Sequence, residues 1–456
     1  MMKNLKLVLA LLLIAVFPFG CMVGPKYVQP EQPKTESFLN GDHSTDTTNT
    51  VRTIKWSTIF NDPVLIGLIE KGLQNNFDLK IAIARLEQAK ANLGIAKADL
   101  YPSFQYSGQV NSAESFLQSS SAFANMSWEL DFWGKYRHQN KALQNDLLAT
   151  DEARKVVLSD IVSNIAISYF QLRDFDNQLE ITIHTLETRQ KAYDIINERF
   201  KSGYVAELDK VQIEQQVAIA EANIPAIKRQ ITALENSISI LIGQVPQPIQ
   251  RGKTNSELLI LTTFPTSVPS ALLENRPDVK ATELSYRSAN EKIGVAQAMR
   301  YPSFNIAALA GFTSVKVADL FSDTSYLQNI GAGVTGPIFN FGKNRRRVEV
   351  NRQIAEERKL NFQKTYLIAI SEVENSLQNV AMYKEEWTAR NKQVVAAQTN
   401  YDLSNARYYN GYVSYLEVLD AQRSLFEAQL SLSQLTQKQL TSMIQLYKAL
   451  GGGWSF

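Results

Sequence analysis

The 456-residue chain carries 47 basic and 45 acidic side chains, a formal net charge of +2, which leaves no strong field for holding nucleic acid. Its single cysteine excludes an intrachain disulfide and a cysteine metal cluster, and its three histidines, His43, His138 and His184, are scattered too widely in sequence to suggest a metal centre. Alanine, leucine, glutamine, asparagine and serine are abundant, a mixture that favours long helices with polar faces.

At the start of the chain, Lys3 and Lys6 precede an unbroken apolar run, Leu7–Val16. That run is too short to cross a bilayer and has the length of a signal-peptide core. Gly20 and Cys21 close it, so residues 1–20 read as a signal peptide cleaved before Cys21, with lipid attached to Cys21. Pro18 stands where such motifs usually carry leucine. Residues 21–60 are then a lipidated, extended N-terminal segment.

The remainder reads as two repeats, 61–250 and 251–456. "YPSF" occurs at Tyr101–Phe104 and again at Tyr301–Phe304, 200 residues later. "RFKSGYVAELD" (Arg199–Asp209) matches "RYYNGYVSYLE" (Arg407–Glu417), now 208 residues apart. A recurring plan of this size means paired structural units. In each repeat helical periodicity leads to an extended region, and two long helices follow. From about Phe132 to Ser202 there is no proline, which allows roughly 100 Å of helix. Gly203 and Gly411 end these runs, and the chain turns back through Val205–Ile242 and Val413–Leu450. Each repeat therefore holds a helical hairpin, with tips near 203 and 411.

Between the helices the period changes to two. Phe104, Tyr106, Gly108 and Val110 alternate with Gln105, Ser107, Gln109 and Asn111. The same alternation predicts strands over about 103–112, 121–130, 303–312 and 328–339. Ten residues is the length of a tilted outer-membrane strand, apolar towards lipid and polar towards water. Tyr101, Trp128, Trp133, Tyr301, Phe339 and Phe341 lie at the strand ends, where aromatic side chains mark a membrane interface. Lys135 and Arg137, then Lys343 and Arg345–Arg347, follow at once and can reach lipid headgroups. Four strands cannot close a barrel, and open edges do not survive in lipid. Three chains supply twelve strands, so a homotrimer is expected.

With "GCMVGPKYVQP", "LLENRPDVKATE", "GPIFNFGK" and "LYKALGGGW" added to "YPSF", the chain resembles the TolC-like outer-membrane factor family, in its lipidated OprM/NodT branch. The resemblance implies an α+β membrane protein. Its twelve-strand trimeric β-barrel, with four strands per chain, would continue into a long α-helical coiled-coil tunnel in the periplasm. It implies location in the outer membrane, in contact with outer-membrane lipid. The implied partners are a periplasmic adaptor (membrane fusion) protein and an inner-membrane transporter of the RND type; no nucleic acid, cofactor or metal is implied. The function implied is a passive exit duct for small molecules such as drugs, with no enzymatic activity; the alternative is the outer-membrane duct of a type I protein secretion system. Gly203, Tyr204 and Val205, with Gly411, Tyr412 and Val413, would form the adaptor-facing tips. Acidic constriction residues would fall at Asp209, Glu417 and Asp420. For Asp209 and Glu417 simple stabilisation of a helix start is the other reading.

Overall fold

A computed structural model of the protein describes residues 22–31, 62–111, 119–258 and 276–452. Cys21 and the signal segment lie outside the described residues, as does most of the expected N-terminal extended segment. The elements in chain order are α1 (Pro63–Asn75), α2 (Phe77–Ala98), β1 (Ser103–Asn111), β2 (Ser119–Leu130), α3 (Lys135–Lys201), α4 (Glu207–Leu241), the short α5 (Asn255–Leu258), α6 (Pro277–Ala298), β3 (Ser303–Ser314), β4 (Tyr326–Thr335), α7 (Lys343–Tyr409) and α8 (Tyr415–Ala449). Helices α3 and α7 each have 67 residues, and α4 and α8 each have 35. Among the described residues no helix is long and apolar enough to cross a membrane.

The chain divides into two compact units, and each draws on both halves of the sequence. Of the described residues, the first holds 22–31 and those within Ile83–Ala153 and Asp278–Tyr366; the second holds 62–82 and those within 154–277 and 367–452.

In the second unit Asp62 is completely buried. Its carboxylate accepts from Val64 N (2.8 Å) and Leu65 N (3.4 Å), capping α1, with Pro63 in the first turn where no N–H is missed. It also accepts from the Tyr169 hydroxyl (2.9 Å) and Lys253 N (3.0 Å), and that hydroxyl accepts from Gly252 N (2.8 Å). One carboxylate thus fastens α1, α3 and the loop after α4. Burial beside Asp62 pushes the Tyr169 phenol well above its ordinary range. Leu65, Leu68, Ile69 and Gly72 form the buried stripe of α1, at helical spacing. Asn76 then caps twice: its Oδ1 accepts from Leu79 N (3.1 Å) and its Nδ2 donates to Leu241 O (2.8 Å), at the end of α4.

Further along α3, Asp174 is buried, and among the described residues no cation reaches it within hydrogen-bonding distance. Its carboxylate accepts from Ser433 Oγ (2.5 Å) on α8 and Gln178 Nε2 (2.7 Å), and Asn177 Nδ2 donates to the same Ser433 (2.8 Å). Burial raises the Asp174 carboxyl above its ordinary value, opposed by the two hydrogen bonds.

In the first unit the four strands make one antiparallel sheet in the order β1-β2-β3-β4. The registers align one apolar face across it. Phe104 lies opposite Met126, Met126 opposite Ala308, and Ala308 opposite Ile330; Trp128 lies opposite Ile306, and Ile306 opposite Ala332. The other face is mainly polar: Gln105 pairs with Asn125, and Ser103 with Ser127. On that face Asn125 Nδ2 donates to Ser107 Oγ (3.0 Å). Every residue of β1 and β4 is exposed, including Tyr106 at 94% and Ile330 at 82%. β4 ends at Thr335, short of the expected 339, because Gly336 and Pro337 follow and proline has no N–H for the ladder.

The raised Asp174 carboxyl carries a pH sign. A folded pKa above the unfolded one favours the folded state most at low pH. That advantage is lost as pH rises from the ordinary carboxylate range through the raised value. Asp174→Asn, which cannot ionise, should therefore melt above wild type at neutral pH, with the gap closing below about pH 4. Melting curves of the purified protein across pH 4–8 check this; a gap that widens on acidification refutes it.

Candidate functional site

The strand end of the first unit is set by the two "YPSF" stretches. α2 ends at Ala98 and β1 begins at Ser103; α6 ends at Ala298 and β3 begins at Ser303. Both helix ends close identically, with Tyr101 N donating to Ala98 O (3.0 Å) and Tyr301 N to Ala298 O (3.1 Å). Proline at the next position cannot extend the helix, so the chain leaves it directly into a strand. Trp128 Nε1 donates to Leu100 O (3.0 Å) and Trp133 Nε1 to Pro302 O (2.7 Å), so each indole has its polar edge satisfied at a junction. Trp133 stacks on Tyr301 with ring centroids 4.6 Å apart, and Phe339 meets Phe341 at 4.6 Å, edge to face. Tyr101, Tyr301, Phe339 and Phe341 are all exposed.

An N-terminal strap, residues 22–31, is seated on the same unit, and sequence periodicity gives no sign of it. Val23 N donates to Trp133 O (3.2 Å), and Asn290 Nδ2 donates to Pro25 O (3.3 Å). Tyr27 packs against Tyr286 (5.4 Å), donates to Glu283 Oε1 (3.0 Å) and lies under the Arg287 guanidinium (4.7 Å). Burial, then the Glu283 charge, pushes the Tyr27 phenol well up. The residues that directly follow Cys21 therefore lie beside an aromatic of the strand end.

In the second unit the hairpin tips share one geometry. Gly203 (φ +77°) and Gly411 (φ +76°) are left-handed, a conformation that glycine takes without a Cβ penalty. Tyr204 N donates to Arg199 O (2.9 Å) and Gly203 N to Phe200 O (2.9 Å); Tyr412 N donates to Arg407 O (3.0 Å) and Gly411 N to Tyr408 O (2.9 Å). Each is a Schellman closure, which satisfies carbonyls left over at the helix end. Tyr204 (81%) and Tyr412 (77%) project into solvent. Val205 packs instead on a buried cluster of Ile196, Ile213, Tyr415, Val418 and Leu419, and Val413 is half-buried.

The three acidic residues lie just past the tips. Asp209 is half-buried in the first turn of α4, Glu417 is exposed in the first turn of α8, and Asp420 is exposed one turn on. Glu417 meets Arg407 of α7 at 3.9 Å, and Asp420 meets Arg423 at 2.6 Å. The two guanidiniums are the residues that sequence reading missed here; the Asp420–Arg423 spacing of three is the signal that could have found one. Behind the tip, Arg189 is fully buried. Its guanidinium donates to Gln216 O (2.7 Å) and lies 5.5 Å from the Phe426 ring centroid, and burial lowers its pKa. Among the described residues no group of three or more His, Cys, Asp or Glu could hold a metal ion.

Comparison with known proteins settles the family. Residues 68–244 and 268–452 match the family described as outer membrane efflux protein. The chain belongs to this family. It is similar to the cation efflux system protein CusC of Escherichia coli O6:H1, 29% identical over 448 residues and covering 97% of each chain. It is similar also to the solvent efflux pump outer membrane protein SrpC of Pseudomonas putida, 30% identical over 454 residues, 96% of each chain. The fold matches a crystal structure of CusC, described for its folding and transmembrane channel formation, with a TM-score of 0.85 and 28% identity. That match covers 95% of this chain and 100% of the other. As an outer membrane efflux protein the chain is the outer-membrane channel component of a tripartite efflux system, working with an adaptor and an inner-membrane pump.

Proposed function

We propose that three copies join their sheets into one twelve-strand barrel, each chain contributing four strands from two structural repeats, 61–250 and 251–456. The barrel is a passive exit duct for small molecules, and energy comes from an inner-membrane transporter of the RND type. The observation that carries this reading is the sheet itself. Its apolar face has no covering layer, and β1 and β4 each pair on one side only among the described residues. Lipid suits such a face, and a neighbouring copy suits such edges. CusC is named for cations and SrpC for solvents, at nearly equal identity to this chain. Likeness to the duct therefore does not fix the cargo, which fits selection in the pump.

The tips, Gly203–Val205 and Gly411–Val413, face the adaptor in this reading, because exposed tyrosines at a glycine turn suit docking against another helical tip. Photo-crosslinkers at Tyr204 and Tyr412 in intact cells should capture a periplasmic adaptor. Deleting the chain should raise susceptibility to small toxic molecules. Capture only from strand positions reverses the orientation; unchanged susceptibility with a lost secreted protein replaces the reading with a protein-secretion duct.

Asp209, Glu417 and Asp420 line the constriction in this reading. Asp420 and Arg423 are both well exposed, so their ion pair contributes at most about 1 kcal/mol to stability, a pairing weak enough for passing ions to compete with it. Alanine at all three positions should lower cation preference and raise conductance in planar bilayers, with thermal stability almost unchanged. Unchanged selectivity and conductance in an intact oligomer remove these residues from the constriction.

Lipid on Cys21 is supported by the strap, which holds the next residues beside Trp133 at the strand end. Cys21→Ser should abolish palmitate labelling while the strands still hold the outer membrane. Labelling that persists refutes it.

A further inference from the structure

Below the strand ends of the first unit lies a cavity of about 350 Å³, whose wall includes Trp133, Tyr301, Lys135, Asn344 and Arg347. Two carboxylates also line it, Glu129 and Asp131, and both are fully engaged. Glu129 accepts from Lys135 Nζ (2.6 Å) and the Tyr136 hydroxyl (2.9 Å), and Asp131 accepts from Arg137 Nε (3.0 Å) and from Tyr136 N (3.0 Å). Arg347 is different. Its guanidinium donates to Asn344 Oδ1 (3.1 Å) and approaches Met299 Sδ (3.6 Å), and it meets no carboxylate among the described residues.

Two more cations flank the same wall without an acidic partner among the described residues. Arg300 sits between the lining residues Met299 and Tyr301, and Lys343 opens α7 next to Asn344. Arg345 and Arg346 are both served by the single carboxylate of Glu349, at 3.3 and 3.1 Å. The surplus of positive charge is therefore local and sits at one end of the sheet.

The apolar surroundings match. Phe341 is the one described non-glycine residue with a left-handed backbone (φ +51°), and Gly342 follows at +80°. This strained turn starts α7 at once and leaves the Phe341 ring 90% exposed against Phe339. The Tyr301 hydroxyl bonds nothing among the described residues, although its ring is stacked on Trp133. Cations without carboxylates, a free phenol donor and exposed rings at a strand end together make the complement of an anionic headgroup with acyl chains attached.

We propose that Arg300, Lys343 and Arg347, with the Trp133–Tyr301 stack, bind the phosphodiester headgroup of an anionic phospholipid in the periplasmic leaflet of the outer membrane. The proposal rests on the barrel reading of the sheet, which puts this end of the strands at that leaflet. The guanidinium of Arg347 takes two phosphate oxygens, Arg300 and Lys343 supply point charges, and the acyl chains lie along Phe339 and Phe341.

Native mass spectrometry of the full-length protein purified from membranes tests this. Wild type and an Arg300→Gln, Lys343→Gln, Arg347→Gln variant are each titrated with phosphatidylglycerol, phosphatidylethanolamine and inorganic phosphate. Wild type should hold phosphatidylglycerol in preference to phosphatidylethanolamine. Affinity should drop about fivefold for each cation removed. Inorganic phosphate should not displace the lipid. Arg347→Lys alone, which keeps the charge, should lose less than Arg347→Gln alone. Equal phosphatidylglycerol binding by wild type and triple variant overturns the site, as does its displacement by equimolar inorganic phosphate, which would mark a free-ion site. The same spectra report the oligomer. Lipid retained selectively on a monomer supports the site while sinking the trimer, and a trimer with no lipid preference does the reverse.

Discussion

An uncovered sheet governs this structure. Folding normally hides the apolar face of a sheet under helices or a second sheet, and hydrogen-bonds or blunts its edges. Here Tyr106 and Val110 on β1 and Ile330 and Val334 on β4 stay exposed, and among the described residues those two strands end the sheet with open sides. Water would penalise that face and lipid would penalise those edges. The arrangement proposed above relieves both, with lipid on the face and further copies on the edges. The aromatic junctions, the basic residues beyond them and the long polar helices are all consistent with that one requirement.

The helical part follows a different logic. The stability of a 67-residue helix comes from neighbours along its length, so errors of register accumulate unless the ends are fixed. The ends are fixed by the same device at each hairpin. Gly203 and Gly411 close the outgoing helices, and Gly243 and Gly451 close the returning ones, where Gln244 N meets Ser239 O and Gly452 N meets Tyr447 O. The equal helix lengths in the two halves are a natural result of matched stops.

Much of this was legible in the sequence because it is local. Alternation named the strands to within a few residues, proline in "YPSF" fixed where helices give way to strands, and glycines marked the tips. The boundaries that drifted were those where a local rule was overlooked, as with Pro337 after β4. What stayed hidden depends on partners distant in sequence. Nothing near Asp62 announces that it will meet Tyr169 and Lys253, and nothing near Asp174 announces Ser433. Arg189 looks like any charged residue on a polar helix until three elements close around it. The place of the acidic group was legible, since Asp209, Glu417 and Asp420 follow the tip glycines closely in sequence and lie just past the tips. Its electrostatics were not legible, because Arg407 comes from another helix.

The strap sets a limit on how this protein can vary. A Cβ on Gly24 would lie 2.9 Å from the Gly294 backbone and 2.9 Å from the His138 ring, and a Cβ on Gly294 would lie 2.5 Å from that same ring. His138 is itself held by Glu291 at 2.6 Å, so it has little freedom to move aside. Three positions on three segments therefore share one small volume. None can gain an atom unless another gives one up, so residues 24, 138 and 294 are bound to change together over evolutionary time or not at all.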